Sequence, residues 1–175
     1  MHMKHNTLLI MALLTLFGCK SREISPAPVA SVDVSRYVGL WYEIASNPAT
    51  FTKGCQCTTA EYTLRPDGSL TVVNKCRRGP AGAKQSSITG KAWVVEGSGN
   101  ARLKVQFFWP IRAPYWIVAL DSVDYKWAAV SGPGGKYLWI LARKPQMDET
   151  VYQDILAQLR LKGIKLEALQ RTVCE

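Results

Sequence analysis

The sequence contains little histidine and few acidic residues. Its two histidines, His2 and His5, lie at the N-terminus, and 22 lysines and arginines against 13 acidic residues give a formal charge of +9. This charge leaves nucleic acids, membrane surfaces and acidic ligands open as partners. A composition of 47% hydrophobic and 20% charged residues excludes a disordered or collagen-like chain. The 175 residues suit one domain with its own core.

The sequence also lacks a long apolar run near its start. Residues 8–17 are apolar apart from Thr15, and ten helical residues extend about 15 Å, half of a bilayer's hydrocarbon core. This length favours the apolar core of a signal peptide over a transmembrane helix. The run ends in Leu16-Phe17-Gly18-Cys19, which resembles the lipobox of bacterial lipoproteins, with a bulkier residue than usual at position −2. We predict a signal peptide over 1–18 and acylation of Cys19, with a plain secretory signal as the alternative.

Acylation of Cys19 would fix the location of the protein and limit its chemistry. Several acyl chains on one cysteine suffice for stable anchoring. Resemblance to bacterial lipoproteins implies the outer membrane, because Lys20 rather than Asp follows, with the domain facing the periplasm. Residues 19–33 would be the lipidated cysteine and a Pro/Ser/Ala-rich tether that holds the domain, 34–175, off the bilayer. Loss of 1–18 removes both histidines, so we expect no catalytic site, no metal and no cofactor.

Four cysteines remain after Cys19. In an oxidising compartment an even number predicts two disulfides, which four cysteines can form in three ways. A thiolate metal site is the alternative, although zinc ligands are usually separated by two to four residues and the first two of these cysteines are separated by one. The four are Cys55, Cys57, Cys76 and Cys174.

Short alternating segments separated by turn signals make up most of the remaining chain. Thr58, Ala60 and Tyr62 share one predicted face, for example, and Pro66-Asp67-Gly68 is a strong turn. Helical periodicity occurs once, after Pro145, with Asp148 as N-cap, an apolar side of Val151, Ile155, Ala157 and Leu159, and Gly163 as the end. The predicted strands are 41–46, 57–65, 69–76, 88–95, 101–109, 115–121, 124–130 and 136–143.

This order of elements predicts an all-β fold. A doubly wound sheet would need helices between the strands, and none is predicted there. Eight consecutive strands instead predict an eight-stranded antiparallel up-and-down β-barrel, with the one C-terminal α-helix packed outside. Such a barrel has room for side chains or for one small ligand.

Three segments in order resemble the lipocalin family. Gly39-Leu40-Trp41 resembles the G-x-W signature of its first strand. Residues 115–125 resemble the second signature, with Leu-Asp-Ser in place of Thr-Asp-Tyr, and 137–145 resemble the third, with Arg143 before the helix. The resemblance covers roughly 34–174 and is strongest to bacterial outer-membrane lipoproteins and to apolipoprotein D. It implies that Arg143 lies over the Trp41 indole at the closed end of the barrel.

The same resemblance implies a function. It predicts that the barrel binds a small hydrophobic ligand, a fatty acid or (lyso)phospholipid, for lipid storage, transport or envelope maintenance. Tyr62, Asn74 and Trp139 rank first as ligand contacts because they match contact positions in apolipoprotein D. The other predicted wall residues are Phe107, Tyr115, Val72 and Ile117, for all of which a solid core is the alternative.

Apolipoprotein D also provides a disulfide pattern. The resemblance pairs Cys57 with Cys174, and Cys55 with Cys76 then forms the second bridge. Lys75, Arg77 and Arg78 are candidates to bind an anionic head group at the mouth, with a solvated charged face as the alternative.

Other functions remain open on the sequence. The aromatic loop 108–111 could touch a membrane, a ligand or a second subunit in a homodimer, or simply pack on the barrel. A structural or interaction lipoprotein with a filled barrel is the main alternative to a carrier, and a lipocalin-type enzyme is another. Nucleic-acid binding is not expected, because the basic residues are scattered and export removes that partner.

Overall fold

The computed structural model describes residues 25–48, 54–79 and 83–172. Their secondary structure consists of eight strands that form the barrel, a short ninth strand, two α-helices and one 3₁₀ turn (Pro133–Gly135). The helices are α1 (Val34–Tyr37) and α2 (Glu149–Leu161). The strands are β1 (Gly39–Ser46), β2 (Cys55–Leu64), β3 (Leu70–Arg78), β4 (Gln85–Val94), β5 (Arg102–Gln106), β6 (Ala113–Leu120), β7 (Trp127–Ser131), β8 (Leu138–Ala142) and β9 (Gln170–Arg171).

The eight long strands form a closed barrel. Each strand pairs antiparallel with the next, and β1 pairs with both β2 and β8, which closes the sheet. The predicted eight-stranded up-and-down barrel with a C-terminal helix is therefore confirmed. Side chains alternate between the inside and the outside of the barrel along each strand. Tyr62 and Val72, which are paired on β2 and β3, point to the interior, for example, and their neighbours face outward.

Three strand boundaries differ from the prediction by three residues and the others by at most two, and β4 begins at Gln85 rather than at 88. β5 ends at Gln106 rather than at 109, because a turn follows in which the Ile111 amide donates to the Phe108 carbonyl. β7 begins at Trp127 rather than at 124, because the Asp121 carboxylate accepts the amides of three following residues and holds a loop there. Helix α1 and strand β9 were not predicted, since four and two residues carry no readable periodicity.

Helix α2 begins and ends as the sequence predicts, but its buried face differs. The Asp148 carboxylate accepts the Thr150 amide at 2.8 Å and caps the helix. Val151 and Ala157, predicted on the apolar side, are exposed. Tyr152, Ile155, Leu156 and Leu159 are buried instead, against Ile44, Val118 and Ile140 on the outside of the barrel wall. In the described part of the chain, neither helix has the length and hydropathy to cross a bilayer.

One end of the barrel is closed around Trp41 and Arg143, as the family resemblance implies. The guanidinium carbon of Arg143 lies 3.7 Å from the centroid of the fully buried Trp41 ring. The same guanidinium donates to the carbonyl oxygens of Leu40 (2.9 Å), Arg36 (2.7 Å) and Tyr37 (3.2 Å). It therefore ties α1 and β1 to the end of β8.

The N-terminal segment, residues 25–33, packs on the barrel and differs from the free tether that its composition predicts. Pro26 and Val32 are buried. The Val29 amide donates to the Ile117 carbonyl at 2.9 Å, and the Val32 amide to the Gly99 carbonyl at 2.8 Å. The Pro/Ser/Ala-rich composition predicted a tether, although the segment also contains apolar side chains that can pack on the barrel. Residues 1–24, including the signal peptide, Cys19 and the start of the tether, lie outside the described residues, so those assignments stay predictions.

Gly99 provides a test of this packing. A Cβ at Gly99 would overlap the carbonyl oxygen of Ala30, whereas a Cβ at Gly97 would meet nothing within 4 Å. Both glycines have a positive φ, 59° and 71°, so Gly97→Ala measures the backbone strain alone. We expect Gly99→Ala to lower the free energy of unfolding by about 1–3 kcal/mol more than Gly97→Ala in urea denaturation. Equal losses would contradict the close packing of the segment.

Candidate functional site

The barrel encloses a cavity of about 590 Å³. It is open at the end where β1 and β3 end and where the loops β5–β6 (107–112) and β7–β8 (132–137) lie, since exposed residues near that end, such as Ser86 and Phe108, belong to its lining. We call this end the mouth and the opposite end, closed by Trp41 and Arg143, the base. The volume falls within the range usual for small-molecule sites.

The structure places the five predicted contact residues on the cavity wall. Tyr62, Asn74, Trp139, Phe107 and Tyr115 come from β2, β3, β8, the β5–β6 loop and β6, and the predicted Val72 lies beside them. Ile117 does not line the cavity. It is fully buried in the core between the cavity and the base, so its prediction as a wall residue is wrong. Its inward orientation was predicted correctly, but its depth along the strand was not.

Two tyrosines, Tyr62 and Tyr115, line the floor of the cavity, and a third, Tyr37, is hydrogen-bonded beneath them. The Tyr62 hydroxyl donates to the Tyr115 hydroxyl at 2.8 Å, and the Tyr37 and Tyr115 hydroxyls are hydrogen-bonded at 2.7 Å. The ring centroids of Tyr37 and Trp41 are 4.9 Å apart, so the tyrosines rest on the base. A chain of three hydroxyls has three protons and two internal bonds, which leaves one donor for a further partner.

Burial of these tyrosines makes stability depend on pH in the alkaline range. It raises the pKa of Tyr62 to about 12 and holds the pKa values of Tyr37 and Tyr115 well above 10.0. Above about pH 10 the tyrosines of the unfolded chain lose their protons while those of the folded chain keep them. The free energy of unfolding is therefore unaffected by these groups below pH 10, and above it falls by about 1.4 kcal/mol per pH unit for each tyrosine. Urea denaturation between about pH 9 and pH 11 should show a shallower fall in Tyr62→Phe, and an unchanged slope would contradict the buried phenol.

The apolar wall contains a few polar atoms without partners. Asn74 and Thr58 line the cavity, and the side-chain oxygen of each is buried without a hydrogen-bond partner among the described residues. Glu43 also reaches the wall, and its carboxylate accepts from Ser46 at 2.9 Å and from Thr172 at 2.6 Å. The Asn74 and Thr58 oxygens have almost no accessible surface, so they lie behind the wall rather than in the cavity, where leaving a polar atom unpaired is costly.

Gly90 shapes the wall beside Phe107. An ideal Cβ at this glycine would lie 2.6 Å from both the Gln106 carbonyl oxygen and a ring carbon of Phe107. The phenylalanine ring therefore lies directly against the β4 backbone, which keeps it on the wall. This contact could not be predicted from the sequence, because Gly90 lies inside a strand without a turn.

A disulfide joins β2 and β3 at the mouth. Cys55 and Cys76 are bonded, with 5.4 Å between their Cα atoms, and both line the cavity, which confirms this predicted pair. Cys57 is also disulfide-bonded, but Cys174 lies outside the described residues, so the Cys57–Cys174 bridge stays a prediction. In the described ranges no three His, Cys, Asp or Glu side chains group as a metal site requires.

The three predicted head-group cations lie in different positions. Lys75 and Arg78 belong to the cavity lining, and Lys75 is also 3.8 Å from Glu61. Arg77 is not among the lining residues, and its guanidinium lies 3.4 Å from the Cys57 sulfur. Only Lys75 and Arg78 are therefore placed to meet a ligand in the cavity.

Several wall residues were not named as ligand contacts from the sequence. Thr58 and Ala60 share the predicted inward face with Tyr62, so alternation could have added them. Glu43 could not have been found, because a carboxylate on a strand is normally expected to face solvent. The others missed are Thr59, Ser86, Ser87, Ile88, Val105, Ala113, Pro114 and Leu141.

Comparisons with known proteins agree with the geometry of the barrel. A sequence model of the lipocalin-like domain matches residues 32–173. The chain is 41% identical over 145 residues to the outer membrane lipoprotein Blc of Escherichia coli, covering 79% of this chain and 81% of that protein. It is 34% identical over 161 residues to the Blc lipoprotein of Vibrio cholerae, covering 92% and 94%.

Animal proteins are similar as well. Apolipoprotein D of Macaca fascicularis is 37% identical over 158 residues, covering 82% of each chain. Among solved structures, insecticyanin from Manduca sexta superposes with a TM-score of 0.69 at 19% identity, covering 85% of this chain and 84% of that one. The family match, these identities and the closed barrel agree, and the chain belongs to the lipocalin family.

Proposed function

We propose that the protein is a lipid-anchored lipocalin of the outer membrane that binds a fatty acid or a lysophospholipid in its barrel, for lipid storage, transport or envelope maintenance. The observation that carries the proposal is the open cavity of about 590 Å³ with a largely apolar wall. The predicted contacts Tyr62, Asn74, Trp139, Phe107 and Tyr115 are the wall residues that we propose touch the ligand.

The size of the hydrophobic contribution suits a reversible carrier. An acyl chain of about 16 carbons has a gross transfer free energy near 12 kcal/mol, at roughly 0.8 kcal/mol per CH₂. The loss of translational freedom and chain ordering offset much of this, which leaves micromolar to nanomolar affinity.

The location follows from the similar proteins together with the lipobox. The E. coli and V. cholerae relatives are both named outer membrane lipoproteins. Acylation of Cys19 would give this chain the same location, with its domain in the periplasm.

Two other functions have less support. A filled barrel, as in a purely structural or interaction lipoprotein, requires a solid interior, and the cavity argues against it. An enzyme would need a reactive group, and the two thiols at the mouth are joined in a disulfide. We therefore propose binding without catalysis.

Native mass spectrometry of the protein purified from its own envelope tests the proposal. We expect one fatty acid or lysophospholipid per chain, released as the collision energy rises, in addition to the acyl groups on Cys19. Protein that carries no lipid and takes up neither palmitate nor lysophosphatidylethanolamine would overturn the proposal.

A further inference from the structure

The loops at the two ends of the barrel differ in charge. Outside the strands, the described residues at the mouth (47–48, 54, 79, 83–84, 107–112 and 132–137) contain three basic residues and no acidic residue, and β3 ends there with Arg77 and Arg78. The three loops at the base, 65–69, 95–101 and 121–126, contain two basic and four acidic residues, so the formal charges are +3 at the described part of the mouth and 2 − 4 = −2 at the base. The mouth is therefore complementary to an anionic surface.

The mouth also has an exposed apolar tip, the loop 108–111. The side chains of Phe108, Trp109 and Ile111 are 68%, 87% and 71% exposed. Phe108 and Ile111 also line the cavity, so the tip is continuous with the apolar wall. Aromatic residues of this kind favour the boundary between lipid head groups and acyl chains.

The N-terminal segment brings the lipid anchor to the same end. The Ser25 hydroxyl accepts the Gly134 amide at 3.2 Å in the β7–β8 loop of the mouth, and the Asp33 amide donates to the Tyr125 hydroxyl at 2.9 Å in the β6–β7 loop of the base. The segment therefore runs down the outside of the barrel from mouth to base. Its N-terminal end, the end nearer Cys19, lies beside the mouth.

The length of chain before Ser25 limits how the barrel can face the bilayer. Cys19 is 25 − 19 = 6 residues away, and six extended residues reach at most about 20 Å. The ten residues of β2 make the barrel about 25 Å tall, at roughly 3.3 Å per residue and a tilt near 40°. If the base faced the membrane, the anchor would have to span this height, which exceeds its reach.

We propose that the mouth of the barrel docks on the bilayer in which Cys19 is anchored, with the tip 108–111 inserted among the acyl chains and the basic loops on anionic head groups. A lipid can then pass between the bilayer and the cavity along Phe108 and Ile111 without crossing water. This inference rests on Cys19 being the lipid anchor of the proposed function, and it does not depend on which ligand the cavity holds.

Quenching by brominated lipids can test the orientation. Full-length acylated protein is reconstituted in phosphatidylethanolamine and phosphatidylglycerol vesicles with bromine on the acyl chains, which quenches only indoles close to them. In a Trp109→Phe background, Ile111→Trp introduces an indole at the mouth and Val123→Trp a matched one in a base loop, since Ile111 is 71% and Val123 76% exposed. Because the two ends are about 25 Å apart, we expect at least about twofold stronger quenching for Ile111→Trp.

Each other outcome overturns the proposal. Equal quenching of the two variants, or stronger quenching of Val123→Trp, would mean that the mouth does not face the bilayer. Quenching of neither is expected if a second copy of the chain covers the tip. A lipid bound in the cavity could also quench the introduced indole. This contribution is measured with one equivalent of brominated lysophospholipid and no vesicles, and the quenching of Ile111→Trp in vesicles must be larger. Native mass spectrometry reads the ligand separately, so failure of docking and failure of lipid binding are distinguishable.

Discussion

Ala60→Trp should weaken lipid binding by at least about tenfold, or about 1.4 kcal/mol. Ala60 lies on the cavity wall, where it pairs with Trp41 on β1 and Asn74 on β3. An indole at this position would occupy the space above the Tyr62 floor that an acyl chain needs. Displacement of a fluorescent fatty acid gives the affinity directly.

Thr63→Trp is the matched control for this prediction. Thr63 lies on the same strand but is exposed, so an indole there adds the same apolar area outside the cavity. We expect unchanged affinity in this variant and a cooperative thermal transition in both. If Ala60→Trp folds and still binds with the affinity of the unmodified chain, the lipid is bound elsewhere.

Arg143→Ala should lower the free energy of unfolding by about 3–4 kcal/mol, which corresponds to roughly 10 °C in Tm. The guanidinium donates to the carbonyls of Leu40, Arg36 and Tyr37 and covers the Trp41 ring. Its removal takes a donor from each of these carbonyls, of which Tyr37 keeps the Trp41 indole N–H at 2.8 Å, and forfeits a cation–π contact of about 0.5–2 kcal/mol. Differential scanning calorimetry measures the loss.

The neighbouring Lys144 provides a control of the same charge. It is exposed, and we expect Lys144→Ala to change stability by no more than about 0.5 kcal/mol. Arg143→Lys should recover only part of the loss, because the compact ammonium of lysine cannot reach all the carbonyls that the planar guanidinium of arginine reaches. Equal effects of Arg143→Ala and Lys144→Ala would show that the base is held by other contacts.

The barrel could be predicted because its signals are local and repeated. Alternation along β2 and turns such as Pro66-Asp67-Gly68 recur often enough to count strands, and Asp148 signals the start of α2. The path of the N-terminal segment could not be predicted in this way. Pro26 is buried only because the outside of the barrel offers it a matching surface, and that surface exists only in the folded chain.

The sequence predicts which strand face carries the candidate site, but not how deep in the barrel each side chain lies. The alternation of inward and outward side chains along the strands correctly placed Tyr62, Asn74 and Tyr115 on the cavity wall. It also placed Ile117 there, although that side chain lies below the tyrosine floor. Alternation has a period of two residues, so it tells which side chains point inward but not how far along the barrel the cavity ends and the solid core begins. Large side chains from several strands decide that together.

A calorimetric titration of delipidated protein with lysophosphatidylethanolamine, repeated at several temperatures, tests the central claim most directly. A hollow, apolar barrel predicts saturable binding of one lipid per chain with a negative heat-capacity change, because acyl surface leaves water. The Ala60→Trp chain should lose this signal while Thr63→Trp keeps it. Heats that do not saturate, or saturable binding without a heat-capacity change, would contradict the account.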